Sequence, residues 1–410
     1  MSKNKPIVGL DIGTNQVKVI VSQINDNHKK PEIIGFSSVP SFGLRKGVVN
    51  DVEETVSSIS NALEEAERIS GATISNVYLG VNGAHISFIT SKGVIAVSRP
   101  SGEISADDVA RAIEAAEAIS LPPNCEVLYS LPFSYTVDDQ EGITDPVGMN
   151  GVRLEAIVHI ITGQTPIIRN FVKCVGRTSV DVEELVVNPL ASSLAVLSER
   201  QKELGCVLLD IGAATTGIAV FEEGNLLYTN ILPIGGAHIT NDLAIGLRTS
   251  IDVAEKVKLE YGFAISKEIS KHETIDLSVV NEEEKGKVLR HHVAEIIEAR
   301  LSEIFSMVKQ ELKKIDKDML LPAGAILVGG TAKMPGIVDL AKDKLKLPAE
   351  IGFPRDVRGI VEKIEDPSFA VAYGLMLWGV NADQGLSRIS FLKENPFLEK
   401  IKKWFKLFLP

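Results

Sequence analysis

The sequence predicts an α/β protein of more than one domain, assembled from two similar halves. Strands and amphipathic helices alternate along most of the chain. An apolar strand, Asp-Ile-Gly, a small polar turn and a second apolar strand occur together twice, around Asp11 and around Asp210. The chain has 410 residues, more than one hydrophobic core usually serves.

Residues 7–12 and 17–23 read as two strands around a turn, with a third over 32–38. A helix is expected near 52–70, where Val52, Val56, Ile59, Leu63 and Ile69 keep helical spacing; Asn50 or Asp51 can cap it, and Gly71 ends it. Residues 77–162 look different. Short strands are expected over 77–81, 86–90 and 93–97, the last two joined by Ser91-Lys92. A helix then starts at Ser105, with Asp108 placed for a capping box. Strands over 126–131 and 152–161 flank residues 138–151, which are rich in Asp and Gly and read as a loop. This piece is a small inserted α+β subdomain.

After Ile168 the earlier rhythm resumes. The segment 189–198 is nearly all apolar and reads as a helix buried on several sides. Residues 266–286 are charged and lack pattern apart from the apolar piece 275–280. The Glu282-Glu283-Glu284 run reads as the solvated start of a long helix over 284–315. A buried strand over 325–328 precedes Gly329-Gly330, and Asp366-Pro367 caps a last apolar helix to about Trp378. Residues 381–395 read as a polar linker.

Composition excludes several classes. The net charge of −11 argues against general nucleic-acid binding, which needs a basic face. Cys125, Cys174 and Cys206 are far apart and make no CxxC, against a disulfide framework or zinc site and in keeping with a reducing cytoplasm. His291 and His292 are adjacent on a helix, point different ways, and read as surface or packing residues. The stretch before the first strand is polar and reads as no signal peptide, and no run of about 18 apolar residues occurs.

The duplicated hairpin carries the chemistry. Residues 8–21 and 207–220 align without a gap, a repetition that predicts two halves facing each other. Gly13 and Gly212 let backbone N–H groups approach a ligand in a tight turn, where successive N–H groups form an anion nest. Thr14, Asn15, Ala213, Ala214, Thr215 and Thr216 fill the turns with small or polar side chains that leave room and add donors. Asp11 and Asp210 sit at strand ends facing the gap. Two carboxylates beside phosphates repel them unless a cation intervenes, so Mg2+ is expected there, held through water. Lys18 can reach back over its hairpin to a phosphate oxygen. One Asp-Ile-Gly alone marks only a tight turn; two in identical register mark a phosphate site.

A third glycine site is Leu327-Val328-Gly329-Gly330-Thr331-Ala332-Lys333-Met334. A buried strand ending in Gly-Gly suits a flat base or ribose against the backbone. Gly329, Gly330 and Met334 are counted in the nucleotide site, as are Gly235 and Gly236. Glu255 and Lys258, on the helix after Thr249, are candidates for ribose or base contacts, with an exposed helix face as the equal alternative.

The last segment is a second signal. Phe397, Ile401, Trp404, Phe405 and Phe408 fall on one helical face, bordered or opposed by Lys400, Lys402, Lys403 and Lys406. Pro396 begins this helix. At roughly 20 Å it is too short to span a bilayer but suits the interface, with aromatics inserted and lysines near anionic headgroups. Residues 397–409 carry +3, leaving −14 for the rest, so the positive charge is local.

These motifs resemble those of the actin, Hsp70 and sugar-kinase superfamily. Residues 11–18 match its first phosphate motif, 210–216 its second, 328–330 its adenosine motif, and 189–197 and 369–377 its two connecting helices. Residues 145–155, 188–197 and 235–243 are similar to segments of the bacterial cell-division FtsA family, and the finer match covers nearly the whole chain. The resemblance implies an actin-like fold of two RNase H-like lobes around a nucleotide cleft. It implies subdomain 1A over 1–82, 163–200 and 366–381; an inserted 1C subdomain over 83–162; 2A over 201–237 and 306–365; and 2B over 238–305. A linker over 382–395 and a membrane-targeting helix over 396–410 complete it. It further implies ATP between the lobes, head-to-tail filaments, and attachment of the tubulin-like protein FtsZ to the cytoplasmic face of the membrane at the division site. Later division proteins would bind the insert. In the family the FtsZ C-terminal peptide docks on 2B, and Arg300 suits that acidic peptide, with a solvated helix residue as the equal alternative.

Departures from the pattern bear on turnover. Ala213, Ala214 and Gly217 stand where family second motifs are often richer in glycine and end in Asp. Asn188 stands where several actin-like ATPases place a Glu that positions water. ATP binding is expected to survive these changes, with hydrolysis slow or absent and no catalytic residue assigned. An actin-fold adaptor of a pilus or secretion platform would share the nucleotide site but lack the basic tail. A metabolite kinase would need a catalytic Asp in a substrate cleft, and no motif supplies one.

Overall fold

The repetition seen in the two hairpins extends to whole sheets in the computed structural model, which describes residues 5–24, 30–281, 286–360 and 363–383. In the first half, Ile7–Ile12, Gln16–Ile24 and Pro31–Pro40 form an antiparallel meander, and Asn76–Val81 and Asp181–Val187 add in parallel on the other side of Ile7–Ile12. The second half repeats that order. Cys206–Ile211 lies between Thr216–Glu222 and Gly324–Val328, with Asn225–Leu232 and Ala349–Ile351 at the edges. The sequences IVGLDI and CVLLDI are buried at every position, as strands covered on both faces must be.

Local signals place the flanking helices. Val52–Ser70 begins at Asp51, whose side chain accepts from Glu54 N–H, and ends at the left-handed Gly71. Asn188–Val196 carries Pro at its first turn and buries nearly every residue. Asp366 accepts from Ser368 N–H and opens a 3-10 turn, Pro367–Phe369, before the helix Ala370–Asp383. The two connecting helices touch backbone to backbone: a Cβ on Gly374 would lie 1.8 Å from the Ala191 carbonyl oxygen, so only glycine fits that contact.

Met1–Ala84, Arg169–Gly224 and Tyr228–Val380 form one compact unit, and a second is built on His85–Ile168. The second unit has a four-stranded sheet, ordered Ser87–Ala96, Arg153–Gln164, Cys125–Val137 and Gln140–Ile143. The helix Ala106–Glu117 covers one face through the predicted Ser105–Asp108 capping box and the buried Val109, Ala112 and Ala116. Alternation along Arg153–Gln164 sends Leu154, Ala156, Val158 and Ile160 to that core.

Several sequence expectations change. Residues 86–90 and 93–97 are not two strands joined at Ser91-Lys92 but one, Ser87–Ala96, paired throughout with Arg153–Gln164. Gly93 is there for packing, since a Cβ would lie 2.0 Å from Ala112 O on the overlying helix. The expected loop 138–151 contains an edge strand, Gln140–Ile143. The long helix is Arg290–Lys314 and starts later than Glu284, because Lys287–Leu289 pairs with Thr274–Asp276 in a two-stranded ribbon. Residues 266–286 also hold a 3-10 turn, Ser266–Glu268, and a short helix, Leu277–Val280. The last helix continues to Asp383, into the expected linker. Glu282, Glu283 and Glu284, the rest of the linker and the whole 396–410 helix lie outside the described residues.

Candidate functional site

The two Asp-Ile-Gly turns close in the same way. Gly13 N–H donates to Gln16 O at 3.0 Å, and Gly212 N–H donates to Thr215 O at 2.9 Å. The strand registers also match, with Asp11 opposite Lys18 and Asp210 opposite Gly217. The lysine is thus present once. Gly217 occupies its equivalent position, where a Cβ would press within 2.7 Å of Pro189 Cγ on the connecting helix.

Both aspartates and Lys18 are buried at the ends of these strands. Burial pushes the Asp210 carboxyl up to about 7, and the nearby Asp11 charge adds to the rise while Lys18 opposes it. Burial also raises Asp11, against the pull of Lys18 and of a 3.2 Å hydrogen bond donated by Asn188 Nδ2. Lys18 is lowered by burial, offset by Asp11, Asp210 and Asp366. Its ammonium stands 5.6 Å from the centre of the Phe369 ring, which takes part of the charge. Two carboxylates of raised pKa around one buried lysine make a pocket of unbalanced charge that a cation would relieve. Among the described residues no three His, Cys, Asp or Glu side chains converge to hold a metal. The two carboxylates are a donor set of the kind Mg2+ uses, which takes one or two carboxylates and its other ligands from water and phosphate.

The remaining predicted residues divide. Thr14 and Asn15 occupy the first turn, Asn15 exposed, and Ala213 is half-buried in the second. Ala214 and Thr215 are buried, and Thr216 is fully so, its hydroxyl donating to Ile234 O at 2.8 Å. That bond anchors the next segment and occupies the proton expected for phosphate. Gly236 and Ala237 N–H donate to Gly212 and Ala213 O at 2.9 and 2.8 Å, which seats the start of the helix Gly236–Leu247 on the second turn. Glu255 and Lys258 are not on an open face. Lys258 Nζ reaches Glu255 Oε2 at 2.6 Å, Thr240 Oγ1 at 2.9 Å and Gly236 O at 3.4 Å, so the pair meets the Gly235-Gly236 segment. Gly329, at φ +89°, packs on Asp210, and Gly330 opens to solvent. Met334 is buried, against Gly262.

Sequence reasoning missed three contacts. Asn82 Nδ2 donates to Thr215 Oγ1 at 2.9 Å, tying the first half to the second turn. Thr331 Oγ1 donates to Gly212 O at 3.0 Å, and Gly235 N–H donates to His238 Nδ1 at 3.1 Å. A signal for Asn82 existed: it follows the buried strand Asn76–Val81, as Gly329 follows Gly324–Val328, and α/β sheets place ligands beyond strand ends.

Arg300 lies elsewhere, on Arg290–Lys314. Its guanidinium grips the Asp242 carboxylate at 2.6 and 2.9 Å and also meets Glu303. Ile245, three residues from Asp242 on the same helix, is 78% exposed.

Comparison with known proteins decides the family. The sequence model for "Cell division protein FtsA" matches residues 207–374, and that for the SHS2 domain inserted in FtsA matches 83–162. The FtsA of Pseudomonas aeruginosa is 37% identical over 98% of both chains. That of Bacillus subtilis is 40% identical over 92% of this chain and 84% of its own, and that of Escherichia coli is 32% identical over 98% of each. The chain belongs to the FtsA family.

The SHS2 match identifies the four-stranded unit as the FtsA insert. Solved structures agree on the fold. The chain is similar to one in the PilM-PilN type IV pilus biogenesis complex, with a TM-score of 0.66 and 19% identity over 91% of this chain and 98% of that one. It is also similar to MreB5 of Spiroplasma citri bound to ADP, with a TM-score of 0.55 and 13% identity over 93% and 98% of the two chains. With the duplicated sheets, these establish an actin-like fold that carries the FtsA insert.

Proposed function

We propose that this FtsA-family protein is an ATP-binding, filament-forming actin-like protein that anchors FtsZ filaments to the cytoplasmic face of the cell membrane and helps assemble the division machinery. The observation that carries it is family identity over 98% of the chain together with two Asp-Ile-Gly hairpins meeting around Asp11, Asp210 and Lys18. ATP would lie with its phosphates over the two turns and its adenosine along Gly329 and Gly330. Mg2+ at Asp11 and Asp210 would screen the phosphates from the carboxylates. Lys18 supplies a fixed positive charge, and the turn N–H groups orient the phosphate chain. The neutral amide of Asn188 cannot accept a proton from water as a carboxylate would, so hydrolysis is slow.

Binding that draws the halves together favours the closed form, and head-to-tail assembly of that form repeats the tail helix along a filament. One helix with Trp404, Phe405, Phe408 and Lys402, Lys403, Lys406 holds anionic lipid weakly; many in one filament hold firmly. The helices Gly236–Leu247 and Arg290–Lys314 offer Arg300 and Ile245 to the FtsZ C-terminal peptide, and later division proteins use the insert.

The test is co-sedimentation with anionic liposomes in the presence of ATP and FtsZ. The full chain is expected to carry FtsZ into the pellet, and a chain lacking 396–410 to leave both in the supernatant. Equal pelleting by the two chains would sink the membrane assignment.

A further inference from the structure

A short strap crosses the mouth of the nucleotide site. Residues 41–51 leave the strand Pro31–Pro40, fold back through a ribbon of Leu44–Arg45 and Val48–Val49, and enter the helix Val52–Ser70. Its base is pinned. Ser41 N–H donates to Asn15 O in the first turn at 3.0 Å, and Asn50 and Asp51 N–H both donate to Gly43 O, at 2.8 and 2.9 Å. Gly43 sits at φ +79° with no room for a Cβ, since Asp51 O would lie 2.5 Å away.

The tip lies against the second turn. A Cβ built on Gly47 would fall 3.5 Å from Thr215 Cγ2 and 3.9 Å from Asn82 O, which is ordinary contact. Thr215 and Asn82 are the two residues whose side chains bond across this mouth. The strap thus runs from one Asp-Ile-Gly turn to the other. At its tip are Arg45 and Lys46, both exposed and, among the described residues, without an ion-pair or hydrogen-bond partner for their charge. Lys46 is the chain neighbour of Gly47, so its Cα is about 3.8 Å from the glycine in contact with Thr215.

The charge balance of the site favours them. Asp11, Asp210 and a triphosphate carry more negative charge than the buried Lys18 and a divalent cation would offset, and each added phosphate increases the excess. We propose that the strap is a basic lid whose Arg45 and Lys46 engage the terminal phosphates of a bound nucleoside triphosphate, making the site discriminate triphosphate from diphosphate. This rests on the nucleotide reading above. It adds residues outside the two turns and assigns them to the part of the ligand that a diphosphate lacks.

The experiment titrates Mg-ATP and Mg-ADP into the full chain and into an Arg45→Ala/Lys46→Ala variant, with thermal melting to confirm that both are folded. Both substitutions are at exposed positions, so the variant is expected to melt like the parent. The lid predicts that ATP affinity falls about tenfold or more while ADP affinity changes by less than about threefold. The variant's ATP affinity should also depend less steeply on salt. An ATP-to-ADP affinity ratio equal to the parent's overturns the lid and leaves the nucleotide site standing. Failure of the parent to bind either nucleotide overturns both.

Discussion

Asn188 donates from Nδ2 to Asp11 Oδ1 at 3.2 Å, while its own Oδ1 is buried and, among the described residues, without a partner. The amide steadies one of the two carboxylates that face the phosphate site and adds no charge to it. Asn188→Ala is expected to cost about 1–2 kcal/mol, because it strips a donor from a buried carboxyl. Asn188→Asp is expected to cost more, since it sets a third acidic group among Asp11 and Asp210. Urea denaturation without nucleotide measures both, and equal midpoints for the two variants would contradict the pairing.

In the insert, His159 lies between Phe88 and Phe133, with ring centres 4.7 and 4.6 Å away, and its Nδ1 shares a hydrogen bond with Thr90. Burial lowers His159 from 6.5 to about 4, and buried His85 is lowered to about 4 in the same way. A histidine lowered on folding stabilises above its unfolded pKa, and that contribution is lost as pH falls from about 6.5 toward 4. At pH 5 each costs on the order of 2 kcal/mol. Hydrogen exchange on Arg153–Gln164, corrected for intrinsic rates, should show that strand opening more readily at pH 5 than at pH 7. His159→Phe should remove part of the difference, and an unchanged difference would place its source elsewhere.

Arg300 is already paired with Asp242, so an acidic peptide must share or displace that carboxylate. Asp242→Asn is expected to tighten binding of an FtsZ C-terminal peptide several-fold, and Arg300→Glu to abolish it, both read by fluorescence anisotropy. Peptide binding indifferent to both changes would move the docking surface away from these helices.

The duplicated hairpin is readable from sequence because its constraints are local. An Asp at a strand end, a Gly in a tight turn and two apolar strands all lie within fourteen consecutive residues, and both copies fold in the predicted register. Asp51, Gly71, the Ser105–Asp108 box and Asp366 were readable for the same reason. Contacts between distant segments were not. The bond of Asn82 to Thr215 spans 133 positions, and that of Thr331 to Gly212 spans 119. The break expected at Ser91-Lys92 is absent because the strand runs on through Gly93, whose fit under Ala112 of the overlying helix only the fold shows. Thr216 reads as a phosphate donor from its place beside the turn; only the fold shows its hydroxyl bound to Ile234 O.

The central claim is that the two Asp-Ile-Gly turns hold one nucleotide phosphate chain with a divalent cation between their aspartates. Calorimetric titration of ATP into the parent chain and Asp210→Ala, each with and without Mg2+, tests it most directly. The account predicts Mg-dependent binding by the parent, and loss of about tenfold or more in affinity, together with most of the Mg dependence, in the variant. Parent-like affinity and Mg dependence in Asp210→Ala would contradict it.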